Sequence, residues 1–297
     1  MITQADQLLE GAIDLHSHGY PEASFDIKMR LEDMEVAELA AKAGMKGFVL
    51  KSHMWPTVGR VYLLKNQIKG IEVWPSITLN TSAGGFSPWA TESALRQGAK
   101  VIWMPTWSAK NDLQRGGFSH FMKKYLPTLN HIEISDGLSV FNDSGEIDRK
   151  VKQILTLAKE HDVVVSTGHL SAEEAVALGQ EAKKMGLKKF VFGHPDSNSV
   201  GGQMDHIKAI AEMGFYVEFC CLGLLPPFQR ISIQEVCRRI KEIGVNHSIL
   251  TTDAFFEWTP PLPEMMRMFI GTLLYKGITK SEIEVMVRKN PGELLNV

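Results

Sequence analysis

Eight short apolar runs, each followed by residues with helical spacing, constrain this 297-residue chain more than any other feature. They fall at 11–19, 47–53, 72–80, 100–106, 163–169, 190–195, 215–220 and 248–254. Helical patterns at 31–43, 62–69, 91–97, 148–160, 204–213, 231–243, 263–275 and 280–288 alternate with them, and a capping pair, Ser171 with Glu174, opens another helix after the fifth run. Parallel strands need such crossovers, and eight of them close into a (β/α)₈ TIM barrel. An open doubly wound sheet is the competitor, disfavoured because no glycine-rich phosphate loop follows the first run. The expectation is one barrel domain over residues 1–297. The rhythm breaks at about 107–146, where a lid-like insertion is expected, with a hairpin pairing 131–135 to 138–141.

Composition removes several function classes. The residues are 44% hydrophobic and 22% charged, with a formal net charge of −2 and scattered basic residues, so no nucleic-acid surface and no membrane-binding helix is expected. No run approaches about 18 uninterrupted apolar residues, and the first ten residues lack the apolar stretch of a signal peptide. Cys220, Cys221 and Cys237 are odd in number and lack metal-ligand spacing. That pattern reads as reduced thiols in the cytoplasm. A small-molecule substrate is expected, and homo-oligomerisation stays open.

Polar residues gather where the apolar runs end. His16 and His18 close the first run, and the two-residue period of a strand turns both to one face, as a metal chelate requires. Lys51 and His53 close the second run, His169 the fifth, His194 the sixth and Asp253 the eighth. In a barrel these ends share one mouth, where such enzymes place their active sites. Five of the ten histidines therefore converge, while His120, His131, His161, His206 and His247 read as solvated. Each residue also has a plainer role alone: His169 bonding backbone, His194 in a turn, Asp253 capping a helix. Those separate roles do not explain why all sit at strand ends. Trp55, Trp103, Trp107 and Trp258 fall near the mouth, Arg60, Arg115 and Arg230 lie in loops able to grip an anion, and Glu218 and Cys220 on the seventh run stay unassigned.

Asp14-Leu15-His16-Ser17-His18, Thr167-Gly168-His169, Gly193-His194-Pro195 and Thr252-Asp253, together with the closing helix that ends in Asn290-Pro291-Gly292-Glu293-Leu294-Leu295, resemble the amidohydrolase superfamily of metal-dependent hydrolases, in an uncharacterised subfamily. The resemblance runs through the whole chain in order. It implies that His16, His18, His169 and Asp253 hold a divalent metal, with Zn²⁺ the expected ion, and that Asp253 shuttles protons. His194 would ligate the metal or contact substrate. Binuclear members carry a carbamylated lysine or a glutamate at the end of strand four. Here that strand ends Trp103-Met104-Pro105-Thr106, so one ion is expected rather than two. Lys51, facing the mouth with His53, would bridge metals or, more simply, bind a substrate anion. The reaction implied is hydrolysis of an amide, ester, lactone or similar bond. Decarboxylation of an aromatic or unsaturated acid, phosphoester hydrolysis in the manner of the PHP family, and an inactive metal-binding protein are the alternatives.

Overall fold

The computed structural model describes residues 2–226 and 228–297, excepting the side chains of residues 128 and 129. The strands are β1 (Ile13–Ser17), β2 (Gly47–Leu50), β3 (Glu72–Thr78), β4 (Val101–Trp103), β5 (Val164–Ser166), β6 (Phe190–Phe192), β7 (Tyr216–Cys220) and β8 (Ser248–Thr251). All neighbours pair in parallel in the order β1 to β8. With helices between successive strands, this is a (β/α)₈ barrel. The alternation of apolar runs and helices specifies that arrangement because each parallel step needs a helix to return the chain.

Local signals set the helix ends. Ser171 and Glu174 form the reciprocal cap of helix Ala172–Lys184, and Thr279 and Glu282 do the same for Lys280–Glu284. Two apolar layers result. Phe48, Leu50, Ile77, Phe190 and Phe219 join the larger core between strands and helices. Ile13, Leu15, Val49, Trp74, Val101, Trp103, Val164, Val191 and Ile249 fill the barrel lumen, together with Leu294 and Leu295 from the last helix, Asn290–Leu295. The lumen is packed, so the polar strand ends have one place to meet, at the mouth above it.

The ring closes at a seam between β8 and β1. Among the described residues the ladder there is short: Ser17 bridges Ala254, the Asp253 N–H donates to the His16 carbonyl (2.9 Å), and the His18 N–H donates to the Ala254 carbonyl (3.0 Å). The register of β1 against β2 also shifts, since Asp14 pairs with Phe48 and Ser17 with Leu50, leaving one extra residue between. Such a bulge re-aims side chains. Leu15 enters the lumen cluster and the next residue, His16, still lies against Trp103, with ring centroids 4.7 Å apart.

The insertion departs from the hairpin expected at 131–135 and 138–141. Short turns of 3₁₀ helix occupy Pro127–His131 and Ile134–Asp136. The backbone partners of Leu138 lie elsewhere: its N–H donates to the Ser108 carbonyl, and its carbonyl accepts from Lys110 N–H, both at 2.8 Å. Leu138 thus pairs with the stretch beyond β4, and the one antiparallel bridge among the described residues of this segment joins Phe141 to Ile147. Two six-residue helices, Lys110–Arg115 and Phe118–Lys123, make up its first part. No helix among the described residues is long and apolar enough to cross a membrane.

Candidate metal centre

The five strand-end histidines are all buried, at 0% exposure for His16, 4% for His18, 5% for His53, 6% for His169 and 7% for His194. The other five are exposed or half-buried. An imidazole that deep needs its N–H satisfied, and four of these rings satisfy it in one way. Glu218 Oε1 lies 2.9 Å from His16 Nδ1, Glu22 Oε1 lies 3.1 Å from His18 Nδ1 and 2.7 Å from His53 Nδ1, and Asp112 Oδ2 lies 2.6 Å from His169 Nδ1. A carboxylate accepting from Nδ1–H holds a proton on that nitrogen, so that the neutral ring presents its lone pair at Nε2, the arrangement that surrounds metal-binding histidines. His194 differs: its Nδ1 meets Ser197 Oγ at 3.4 Å, and its backbone N–H donates to Glu218 Oε2 at 3.1 Å.

The Nε2 atoms of His16 and His18 converge on Asp253. Its Oδ1 is 3.0 Å from His16 Nε2 and 3.3 Å from His18 Nε2. Donor atoms of His16, His194 and Asp253 lie within 4.8 Å of one another, as do those of His18, Glu22 and His53, and those of His16, Glu218 and Cys220. His169 stands one ring further out, its centroid 5.0 Å from that of His194, which is in turn 5.4 Å from that of His16. Two strand-end residues hold unusual backbone to reach these places. His194 has φ 23° and Asp253 φ 51°, the left-handed region that non-glycine residues occupy rarely and at a cost. Asp253 is therefore no helix cap; the Asp253 N–H bond to His16 closes the seam and aims the carboxylate inward.

The electrostatics favour a positive charge in the middle. Burial alone would lower the His16 imidazole, but Asp253 and Glu218 raise it to about 9. Burial alone would raise Glu218, and His16 beside it brings that carboxyl down to about 2. Asp253 is likewise held well below the ordinary range, the imidazoles of His16 and His18 outweighing burial. Burial pushes His53 and His194 the other way, both to about 3, so those rings are neutral. Lys51 is fully buried and lowered by desolvation; its Nζ sits 2.9 Å from His16 Nε2 and 4.5 Å above the Trp103 ring.

Two observations test whether these residues suit a metal. His16 Nε2 faces both Lys51 Nζ and Asp253 Oδ1 at hydrogen-bond distance, although one ring nitrogen serves only as a single donor or a single acceptor. His18 Nε2 is buried and makes no hydrogen bond. Imidazole nitrogens with a carboxylate oxygen are the donor set of divalent zinc-type sites. One cation among them would ligate the nitrogen that lacks a hydrogen bond and relieve the doubly claimed one, so the donor set fits.

The site opens into a cavity of about 180 Å³ lined by Lys51, His53, His169, His194, Cys220 and Asp253 on the strand side and by Phe118, Phe228, Phe255 and Phe256 further out. Trp103 and Trp107 are buried beneath it, and Trp107 Nε1–H donates to the His53 carbonyl (3.2 Å); Trp55 and Trp258 are exposed. Of the three loop arginines, Arg60 is tied to Asp33 at 2.6 Å, Arg115 donates to the Asn198 carbonyl at 2.6 Å, and Arg230 lines the cavity. The three cysteines are free thiols.

Sequence reasoning missed Glu22 and Asp112 and left Glu218 unassigned. Glu218 carried a signal, a carboxylate in the middle of the apolar strand Tyr216–Cys220. Glu22 and Asp112 lie outside the strands, in the loop after β1 and in the insertion, where no periodicity marks them.

No curated protein matches the sequence. Solved structures match over nearly all of it at low identity. An amidohydrolase from Pseudomonas aeruginosa aligns with 98% of each chain at 12% identity and TM-score 0.66. A TatD homologue from Escherichia coli aligns with 97% of this chain and 99% of its own at 16% identity and TM-score 0.58. An organophosphorus hydrolase mutant from Deinococcus radiodurans covers 98% and 94% at 14% identity and TM-score 0.59. The fold is thus that of amidohydrolase-like barrels. A family described as "Family of unknown function (DUF6282)" matches residues 11–218, and the chain belongs to that family.

Proposed function

We propose that this protein is a metal-dependent hydrolase that cleaves an amide, ester, lactone or similar bond of a small molecule. The observation that carries the reading is the set of carboxylates behind Nδ1 of His16, His18 and His169, with Nε2 of His16 and of His18 beside the Asp253 carboxylate. His16, His18, His169 and Asp253 would hold the ion, with zinc the ion that suits imidazole and carboxylate donors. Lewis-acid activation of water and of the scissile carbonyl is what a divalent cation supplies when bound. One ion is favoured, because Trp103-Met104-Pro105-Thr106 offers no ligand after β4.

The chain's own groups divide the remaining work. Asp253, ionised at neutral pH, accepts a proton from the attacking water at Oδ2 or Oδ1 and returns it to the leaving group, as general base and then acid. His194, neutral and on the cavity wall, contacts the substrate, and Lys51 faces the oxygen on which negative charge develops. The free cysteines suit a reducing compartment such as the cytoplasm.

The test is metal analysis of protein purified without chelator, followed by assay against a panel of esters, lactones and amides. One tightly bound ion per chain and turnover that falls by about 10²- to 10⁴-fold in Asp253→Asn, with unchanged circular dichroism, are expected. Asparagine tolerates the left-handed backbone at this position, so the fold is preserved. No hydrolysis by metal-loaded protein, or release of CO₂ from an aromatic acid instead, would overturn the reading; two tight ions would overturn the single-ion site.

A further inference from the structure

We infer that the substrate carries a flat aromatic group next to the reacting carbonyl, and that Phe118, Phe228, Phe255 and Phe256 form the subsite that takes it. The inference rests on the reading of the cavity as a substrate site.

The aromatic wall begins at the donor cluster itself. Phe255 meets the His18 ring edge-on with centroids 4.9 Å apart, and Phe118 lies 4.5 Å from the His53 ring. From there the rings continue outward without a gap. Phe118 packs against Phe255 at 5.4 Å and Phe255 against Phe256 at 4.5 Å, both close to perpendicular. Phe256 then stacks on Phe228 (5.0 Å, 17°) and on Trp258 (5.6 Å, 12°), which reaches the surface. A group extending from a carbonyl at Asp253 therefore meets a continuous run of phenyl rings on one wall of the cavity, with Leu222, Ile231 and Val236 also in its lining. Edge-to-face and offset-stacked contacts, both present in this wall, reward a planar π-system beyond the area it buries. An alkyl chain would gain only the burial.

Phe118 is held in place independently of any substrate. Its N–H donates to Asp112 Oδ2 (3.0 Å) and lies 3.3 Å from Ser199 Oγ, so the start of helix Phe118–Lys123 is fixed by the same carboxylate that orients His169. The subsite is thereby preformed beside the donors, and its cavity of about 180 Å³ suits a small molecule.

The experiment is calorimetric titration of the metal-loaded full chain with phenylacetate, cyclohexylacetate and hexanoate, which share the carboxylate and differ in the group beside it. Phenylacetate is expected to bind about tenfold tighter than the two saturated acids. Phe228→Leu and, as a second variant, Phe256→Leu keep an apolar side chain and remove one ring; either is expected to cut that preference to about threefold or less. Equal or tighter binding of the saturated acids, binding of none of the three, or a preference unchanged in both variants would overturn the inference. Because the readout is binding, tight phenylacetate with no ester hydrolysis would sink the hydrolase reading alone, and hydrolysis of alkyl esters in preference to aryl ones would sink the aromatic subsite alone.

Discussion

Asp112 and His169 are 57 residues apart in sequence, and their side chains meet at 2.6 Å with Asp112 wholly buried. Asp112 belongs to the insertion after β4 and His169 to the end of β5, so the insertion supplies part of the support for the candidate centre as well as lining its cavity through Phe118. The other Asp112 oxygen accepts the Ser119 N–H at 2.7 Å. One carboxylate thus sets a ring orientation and a helix start together.

Asp112→Asn should lower metal affinity by about 10- to 100-fold, the usual consequence of removing a carboxylate behind a ligating histidine. Competition with a chromophoric chelator measures it. An affinity equal to that of the parent chain would mean that His169 contributes nothing to metal binding.

Glu22 receives both the His18 and the His53 Nδ1–H, and the two rings stack 4.6 Å apart with planes only 4° from parallel. Its pKa is lowered because those imidazoles outweigh the burial that alone would raise it. Glu22→Gln turns charge-assisted bonds into neutral ones at a buried site, so the metal-free chain should lose about 1–3 kcal/mol of stability. Urea unfolding of the chelated protein reads this directly, and an unchanged midpoint would contradict it.

Gly168 precedes His169 at φ 55°, and a Cβ there would sit 2.3 Å from the Met104 carbonyl oxygen. The clash is with backbone, which has nowhere to move inside a closed barrel. Gly168→Ala should therefore cost roughly 2–4 kcal/mol and displace His169. Thermal unfolding with and without metal would show both a lower melting point and a smaller metal-induced rise.

Adding Zn²⁺ to chelator-treated protein should raise the melting temperature by about 5 °C or more once the ion is near 100 times its dissociation constant, where linkage supplies about 2.7 kcal/mol. Differential scanning calorimetry checks this. A melting point indifferent to divalent ions would remove the metal centre from the account.

The barrel and the convergence of the strand-end residues were legible because both follow from local rules. Strand period put His16 and His18 together, and the alternation of runs and helices put His53, His169, His194 and Asp253 at the same mouth. What escaped lies outside those rules. Glu22 acts from a loop and Asp112 from a single six-residue helix of the insertion, both too short of regular pattern for side-chain direction to be read without tertiary contacts. The hairpin expected in the insertion failed for a related reason, since Leu138 takes its backbone partners at Ser108 and Lys110 rather than in its own neighbourhood. The bulge in β1 was invisible too, yet it lets Leu15 and His16 lie on the same side.

At the seam, β1 and β8 meet through a short ladder in which His16, His18 and Asp253 themselves supply the backbone bonds. Nearby, Thr252 Oγ1 reaches Asp14 across 238 positions of sequence. The first strand of the barrel therefore waits for the last before either can complete the centre. A cation gripping both would serve as the clasp of a ring, so that loading the site and locking the circle of strands become one event, and an unloaded chain would open first where its two ends join.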